Sequence, residues 1–252
     1  MHRIPAPHLR WDLPPDDRRL DGADVHVWAA SLDVPNETLS SYEQTLSSDE
    51  RSRAEQFKFD CHRKRFIAGR GILRAILSSY EGVEPIELKL DHSPLGKPLL
   101  AGFPENCMLH FNLAHSSNLL LIAITRVCAI GIDVEWIQSV TDIENVARDF
   151  FSADEAQGVM ALPEEERVLA FYEVFVRKEA YLKATGAGLS NVITQIEVSF
   201  LPDEPTRILS IYGDTQAAAC WTLMELAPAS GFTGAVAAEA KNLRFLLWQW
   251  SH

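Results

Sequence analysis

The chain has 252 residues, 47% of them hydrophobic, enough to bury a sizeable core in one large domain or two smaller halves. Asp and Glu number 35 against 23 Lys and Arg, which gives a formal charge of -12. Such a charge repels nucleic acid and anionic membranes unless basic residues are concentrated locally. The composition therefore predicts a folded protein that binds neither nucleic acid nor membrane.

The first 22 residues are rich in proline and mixed in charge, so we expect an irregular arm on the surface. They lack the apolar centre of a secretory signal. The longest apolar run, Leu119 to Ile124, is too short to cross a bilayer. The four cysteines are widely separated and have no zinc-type spacing, which is typical of reduced thiols in a cytoplasmic protein.

In the first half of the chain, Asp24 to Ala30 alternates like a strand, and Ser47 to Tyr80 has helical periodicity with Ser48 as its N-cap. Gly82 and Pro85 end this helical segment. Short β-type runs follow at Ile86 to Leu90, Met108 to Leu113, Leu119 to Thr125 and Ala129 to Val134.

The second half repeats this order. A helical block extends from Ile143 to Thr185, with an interruption near Leu162 and Pro163, and Ile193 to Trp250 is mostly strand-like. The repetition predicts an α+β protein of two pseudo-symmetric halves, each a small, mostly antiparallel sheet packed with helices. We place the arm at residues 1–22, the N-terminal half at 23–127 and the C-terminal half at 128–252.

The sharpest chemical motif is the sequence GIDVE at residues 131–135. Side chains two apart on a strand share one face, so Asp133 and Glu135 project together. Two neighbouring carboxylates repel each other unless a cation relieves them, and hard divalent ions prefer such oxygen ligands. The spacing is compatible with a metal site, and equally with an exposed strand edge.

A second motif lies in the helical segment that contains Glu179 and Lys183, one turn apart on the same face. Taken alone, this is the spacing of an ordinary surface ion pair.

A third feature is a basic segment within the acidic chain. Eight Lys and Arg residues lie between Arg51 and Arg74. Arg63, Arg70 and Arg74 fall on nearly one helical face, so we expect either a cationic strip that faces phosphate groups or a solvated helix surface. Two further pieces, a turn that displays Lys97 and a strand end that carries His115, are by themselves ordinary surface features.

Together, four ordered motifs resemble the 4'-phosphopantetheinyl transferases of the surfactin-synthetase-activating (Sfp) type, which include the human cytosolic enzyme. They are GKP at 96–98, FNLAHS at 111–116, GIDVE at 131–135 and FVRKEAYLKATGAGL at 175–189. The resemblance implies a monomeric, cytoplasmic enzyme that binds coenzyme A and Mg²⁺, or Mn²⁺ in its place, between its two halves. Its partner would be an apo acyl or peptidyl carrier protein.

The resemblance also implies roles for single residues. Asp133, Glu135 and Glu179 match the metal carboxylates, and Asp133 also lies in the coenzyme site. Lys183 matches the lysine beside the coenzyme diphosphate, where it would act in catalysis together with Glu179 as the base. Arg53 matches a contact to the 3'-phosphate end, and Lys97 and His115 match further coenzyme contacts.

Two positions depart from the family pattern. Ala114 stands where a serine is usual, which removes a hydroxyl that could contact phosphate, and Phe175 stands where tryptophan is common. Ala114 keeps open the alternative of a catalytically impaired coenzyme or carrier binder. A Mg²⁺-dependent diphosphate hydrolase is the other alternative. The carrier protein and the pathway are not identified by the sequence.

Overall fold

The structure is a computed structural model that describes residues 10–15, 19–102, 109–188, 192–201 and 204–251. In the described part of the first half, the elements are β1 (Asp24–Ser31), α1 (Asn36–Thr45), α2 (Ser48–Glu55), α3 (Asp60–Glu81), β2 (Lys89–His92), β3 (Pro98–Ala101), β4 (His110–Ser116) and β5 (Leu119–Thr125). In the second half they are β6 (Ile130–Trp136), α4 (Ile143–Phe150), α5 (Ala153–Ala161), α6 (Glu164–Thr185), β7 (Ile196–Val198), β8 (Ile208–Ile211), α7 (Thr215–Ala219), β9 (Thr222–Leu226), β10 (Phe232–Ala238) and β11 (Arg244–Gln249).

The strands form small sheets, and the α+β class is confirmed. The larger sheets have the orders β11-β1-β5-β4 and β6-β10-β9, and β2-β3 and β7-β8 are two-stranded. The pairs are antiparallel except for β1 with β11, which is parallel. The last strand therefore returns to the sheet of the first half, across the boundary placed between residues 127 and 128.

Strand β1 is buried on both faces, because it separates two apolar clusters. Val25 and Val27 point into the cluster between the two halves, where they meet residues of β5, β6 and β10. Trp28 and Ala30 point into a second cluster, against α1 and α3. A third cluster surrounds α6 in the second half. The two halves thus share a continuous apolar contact that fixes β6 against the first sheet.

The helical segment expected from Ser47 to Tyr80 is two helices rather than one. Ser47, not Ser48, is the N-cap of α2: its side chain accepts a hydrogen bond from the Glu50 amide, and Glu50 accepts one from the Ser47 amide. The prediction of Ser48 was wrong because Arg51, three residues later, cannot supply the reciprocal acceptor of a capping box. Gly82 ends α3 in the left-handed conformation, with φ of 67°, as predicted.

Other boundaries also differ from the predictions. The run predicted as a strand from Ile86 to Leu90 begins as a 3₁₀ turn at Pro85–Glu87 and becomes extended only in β2. Strand β3 and helix α7 were not predicted. Helix α7 begins where the Asp214 carboxylate accepts hydrogen bonds from the amides of Gln216 and Ala217.

The expected N-terminal arm lies partly outside the described residues. Within the described part, Asp12 forms a β-bridge with Trp248 of β11, and the Trp11 indole donates to the Ala227 carbonyl at 3.2 Å. Of the cysteines, Cys61, Cys128 and Cys220 are free, and Cys107 lies outside the described residues. None of the helices in the described ranges has the length and apolar character needed to span a bilayer.

Helices α1 and α3 make an unusually close contact at Gly71. A Cβ atom there would lie 2.2 Å from Cβ of Tyr42. We expect Gly71→Ala to lower the free energy of unfolding by about 1–3 kcal/mol through overpacking, as measured by chemical denaturation. Gly69→Ala in the same helix is the matched control, since its nearest neighbour, a methyl of Leu32, is 3.4 Å away. The control should be neutral or up to about 1 kcal/mol more stable. Equal stabilities would contradict this packing.

A bidentate ion pair joins the two parallel strands. The exposed Arg244 guanidinium donates to both carboxylate oxygens of buried Asp24, at 2.7 and 2.6 Å, and these bonds lower the pKa of Asp24. The stabilisation is therefore present above the unfolded-state pKa of about 4 and is lost as the pH falls through the lower folded-state value. We expect Arg244→Gln to destabilise the protein most at neutral pH. The difference from wild type should shrink near pH 3, as measured by denaturation across a pH series, whereas a pH-independent difference would contradict it.

Candidate active site

Strand β6 carries its two acidic side chains on the face that meets helix α6. Ile130, Ile132 and Val134 point the other way, into the apolar cluster between the halves. With side chains alternating along a strand, Asp133 and Glu135 share the opposite face. The alternation predicted from GIDVE is thus the arrangement in the structure.

Gly131 sets how closely β6 and α6 approach. A Cβ atom at this position would lie 2.1 Å from the Ala180 carbonyl oxygen and 2.2 Å from the Ala184 amide nitrogen. Both are backbone atoms of α6, which cannot move aside as a side chain would. The glycine therefore allows direct contact between the helix and the strand, and this contact brings Glu179 and Lys183 to the acidic face of β6.

Asp133 is the most strongly perturbed of these groups. It is 4% exposed, its Oδ1 accepts a hydrogen bond from Nζ of Lys183 at 2.6 Å, and its Oδ2 is buried without a hydrogen-bond partner. Burial raises the pKa of Asp133 to about 7, with the charges of Glu135 and Glu179 acting in the same direction and Lys183 opposing them. The three carboxylates are thus close enough to influence one another.

Glu179 and Glu135 complete the acidic cluster. Glu179 is 7% exposed, its Oε1 is buried without a partner, and its pKa is raised by burial and by Glu135, against the effect of Lys183. Glu135 is partly exposed and accepts a hydrogen bond from Oγ of Ser116 at 2.7 Å. The structure therefore brings together Asp133, Glu135, Glu179 and Lys183, as the sequence motifs suggested.

The carboxylate oxygens of the cluster are suitable ligands for a cation, although the side chains are not arranged as a complete metal-binding set. In the described residues, no group of three or more His, Cys, Asp or Glu side chains is arranged to hold a metal ion. The two unpartnered buried oxygens, on Asp133 and Glu179, are nevertheless hard ligands that lack a donor. Asp133 meanwhile uses its other oxygen to bind Lys183.

A cavity of about 620 Å³ opens beside the cluster. Its cationic and aromatic lining consists of Arg53, Phe57, His62, Arg65, Phe66, Arg70 and His115. Arg53 and Arg70 lie 5.8 and 5.6 Å from the centre of the Phe66 ring. Partial desolvation lowers the pKa of His115, and the Lys183 charge adds to this effect. Such a cavity suits a large anion with an aromatic part.

A second cavity of about 290 Å³ adjoins the first and shares Pro98 and Leu113 with it. Lys97, Glu179 and Lys183 line it. The Lys97 ammonium donates to the carbonyl oxygens of Ile130 at 2.9 Å and Ala184 at 3.0 Å, and burial lowers its pKa to about 8. Lys97 therefore lies at the site, with its charge directed to the backbone of β6 and α6.

The predicted strip of Arg63, Arg70 and Arg74 is not a single cationic surface. Arg74 is 1% exposed and ion-paired with Glu50 at 2.8 Å, and Arg63 is ion-paired with Glu43 at 2.9 Å. Of the two alternatives, the cationic strip was wrong, because helical spacing gives the direction of a side chain and not the neighbour that it meets. Arg70 alone of the three lines the larger cavity.

The two departures from the family pattern lie in apolar surroundings. Ala114 is buried in the cluster between the halves. Phe175 packs against Phe150 and Phe171, with ring centroids 5.5 and 6.1 Å apart. The methyl group of Ala114 thus contributes to the contact between the halves.

Sequence reasoning assigned no role to two residues that touch this region. Asn112 is buried and accepts a hydrogen bond from the Ile132 amide at 2.9 Å. Ser116 contacts Glu135 and also accepts from the Trp136 amide at 3.0 Å. Both lie in FNLAHS, at positions 112 and 116 on the same face of the strand, so two polar residues on an otherwise apolar strand face were the available signal.

Comparison with known proteins assigns the class. Residues 129–238 match the 4'-phosphopantetheinyl transferase superfamily, and residues 32–126 match the 4'-phosphopantetheinyl transferase N-terminal family. The chain is 40% identical over 241 residues to the 4'-phosphopantetheinyl transferase HetI of Nostoc sp. strain PCC 7120, covering 95% of this chain and 98% of HetI. The 4'-phosphopantetheinyl transferase Sfp of Bacillus subtilis strain 168 is 27% identical over 186 residues, covering 71% of this chain and 78% of Sfp.

Among solved structures, the crystal structure of Thermotoga maritima holo-[acyl-carrier-protein] synthase aligns with 46% of the present chain. The alignment covers 64% of the synthase chain, which is less than two thirds. The sequence identity is 21% and the TM-score 0.36. From the sequence matches, the chain belongs to the 4'-phosphopantetheinyl transferase family. It is a transferase of phosphopantetheine, and the family membership predicted from the four motifs is confirmed.

The approach of α6 to β6 gives a direct test. We expect Gly131→Ala to lower the rate of phosphopantetheine transfer by about 10²-fold, because a displacement of about 1 Å separates the reacting groups. Ile132→Val, on the opposite face of the same strand, is the control and should cost about 1 kcal/mol of stability with little effect on transfer. Rates from initial transfer velocities and stabilities from denaturation distinguish the two. A folded Gly131→Ala protein with wild-type activity would show that the close contact is dispensable.

Proposed function

We propose that this protein transfers the 4'-phosphopantetheine group of coenzyme A to a serine of an apo acyl or peptidyl carrier protein and releases 3',5'-ADP, with Mg²⁺ required. Family membership supports the reaction class. The observation that carries the more specific proposal is the buried cluster of Asp133, Glu179 and Lys183, in which two carboxylate oxygens lack a donor.

Asp133, Glu135 and Glu179 are the proposed metal ligands. Each offers a carboxylate, and the unpartnered oxygens of Asp133 and Glu179 are those that a cation would satisfy. When bound, Mg²⁺, or Mn²⁺ in its place, supplies Lewis-acid stabilisation of the negative charge on the diphosphate. It would also relieve the carboxylate repulsion that adds to the effect of burial in raising the pKa of Asp133 and Glu179.

The larger cavity is the proposed site for the nucleotide end of coenzyme A. Its guanidinium groups suit phosphate, and Arg53 remains the proposed contact to the 3'-phosphate end. His115 lines the same cavity and is a proposed coenzyme contact. Lys183 lies near both His115 and Asp133, where it would meet the diphosphate. The coenzyme would thus extend from the cationic cavity towards the acidic cluster.

In the transfer step, the carrier serine oxygen forms a bond to the β-phosphorus of coenzyme A. The bond from that phosphorus to the bridging oxygen of 3',5'-ADP breaks. Glu179 is the proposed base that takes the serine proton, directly or through a water molecule, since it alone of the three carboxylates lies on α6, the helix that faces β6. Lys183 complements the developing charge and donates a proton to the leaving ADP.

Several finer assignments also belong to this proposal. The Sfp subtype and a monomer are proposed from the resemblance of the four motifs. A cytoplasmic location agrees with the free cysteines among the described residues. The formal charge of -12 supports the expectation of no nucleic-acid or membrane partner.

Mass spectrometry of the carrier tests the reaction. Incubation of the protein with coenzyme A, Mg²⁺ and an apo carrier should add one phosphopantetheine to the carrier and release an equal amount of 3',5'-ADP. Chelation by EDTA should stop the reaction and added Mg²⁺ restore it, while a carrier that lacks its acceptor serine is the control. ADP release without carrier modification would identify a hydrolase. Coenzyme binding without either product would identify an impaired binder.

The role of Glu179 is tested by a change that keeps its size. We expect Glu179→Gln to lower the transfer rate by about 10²-fold or more, by analogy with other preorganised polar groups at reacting centres. Its thermal stability should be unchanged or higher, because one member of a repelling buried cluster becomes neutral. Glu165→Gln, an exposed position of the same helix, is the matched control. Normal transfer by folded Glu179→Gln would remove Glu179 from the mechanism.

A further inference from the structure

Among the strands of the described residues, β6 has no partner on one of its edges. It is the outer strand of its three-stranded sheet, and β10 lies on its other side. Just beyond the ends of the strand, the Ile137 amide donates to Gly231 and the Ala129 carbonyl accepts from Glu239, so odd-numbered backbone groups face β10. The even-numbered backbone groups therefore face the first half of the protein.

Three side chains of the first half each form a hydrogen bond with one of these even-numbered backbone groups. The Lys97 ammonium donates to the Ile130 carbonyl at 2.9 Å. The side-chain oxygen of Asn112 accepts from the Ile132 amide at 2.9 Å. The Ser116 hydroxyl accepts from the Trp136 amide at 3.0 Å. We call these three side chains the edge clamp; they replace part of the ladder of hydrogen bonds that a neighbouring strand would supply.

The edge clamp also reaches the groups proposed for catalysis. Lys97 donates a second hydrogen bond, at 3.0 Å, to the Ala184 carbonyl, next to Lys183 on α6. Ser116 donates to the Glu135 carboxylate at 2.7 Å. Lys97 thus joins the start of β6 to the end of α6, and Ser116 joins the backbone at the end of β6 to the proposed metal ligand Glu135. A sliding of β6 along the first half by one residue would break all of these bonds.

Burying an ammonium or an amide is unfavourable unless it is hydrogen-bonded. The hydrogen bonds of Lys97 and Asn112 to the backbone are therefore costly to break. A contact between Lys97 and the coenzyme would have to use the one remaining donor of the ammonium. We propose that Lys97, Asn112 and Ser116 are positioning residues that set the register of β6 and α6 against the first half. Lys97 thereby acts through the backbone and not by binding coenzyme A. This inference rests on the proposed function, because its effect is read as transfer.

Steady-state kinetics distinguish a positioning residue from a coenzyme contact. We expect Lys97→Met to lower kcat by about tenfold to 10²-fold, since the reacting groups would be misplaced. The KM for coenzyme A should change by less than about threefold. Lys89→Met, an exposed lysine in the preceding strand of the same hairpin, is the matched control and should match wild type in both constants. A raised KM with unchanged kcat would show that Lys97 is a coenzyme contact, and no change in either constant would also overturn the proposal.

Ser116 provides a second, milder test. Ser116→Ala should lower kcat, and Ser116→Thr, which keeps a hydroxyl, should restore most of it. Hydrogen exchange supplies a readout independent of activity: the Ile132 amide should exchange faster in Asn112→Ala and the Trp136 amide faster in Ser116→Ala, each by about tenfold or more relative to amides of β10. Unchanged exchange at both amides would refute the clamp even if a Lys97 variant fails to fold. Failure of the proposed function is distinguishable, because wild type itself would then modify no carrier.

Discussion

The contact between Gly131 and the backbone of α6 is the constraint on which the site depends. It places a strand with two acids directly against a helix with a third acid and a lysine. Few arrangements of backbone could bring these groups so near each other, since any side chain at residue 131 would separate the two elements. The carboxylates repel one another, and this repulsion is unfavourable for folding. The apolar contacts around α6 and β6 outweigh it and hold the carboxylates together.

The treatment of buried charge elsewhere in the protein supports this interpretation. Arg74 is paired with Glu50 and donates to two carbonyls, and the buried Lys178 is paired with Glu155 and donates to the Phe150 and Ile193 carbonyls. Among the described residues, the unpartnered buried carboxylate oxygens are those of Asp133 and Glu179. Among the described residues, nitrogens of the Arg70 and Arg177 guanidiniums are also buried without a hydrogen bond, whereas the open acceptors lie on Asp133 and Glu179, two perturbed groups of the kind that mark functional sites in other proteins.

Local patterns predicted much of this architecture. The alternation in GIDVE gave the shared face of Asp133 and Glu135, and the spacing on α6 gave that of Glu179 and Lys183. Gly82 correctly marked the end of α3. These features are determined by residues that are close in sequence. The four motifs in order further predicted the family, which the matches over residues 32–126 and 129–238 confirm.

Contacts between distant segments could not be predicted in this way. Helical spacing suggested that Arg74 was a surface cation, but its neighbour is Glu50 in the interior. Nothing near Lys97 in sequence indicates that its ammonium meets the carbonyls of Ile130 and Ala184. The larger cavity likewise is lined by segments of the first half that lie far apart in sequence, from Leu32 to Leu120. The residue-level roles therefore remain predictions, while the placement of those residues is set by the fold.

The parallel pairing of β1 with β11 has a consequence for biosynthesis. These strands are joined by a pair of residues 220 positions apart, and Trp248 of β11 is buried in the first half's core. On the ribosome, some 220 further residues must be synthesised after β1 before β11 can complete the sheet of the first half, which takes on the order of 10 seconds or more at usual elongation rates. Throughout that interval β1 presents an open, apolar edge of the kind that pairs with other chains. The topology therefore leaves this edge open to pairing with other chains until β11 has been made.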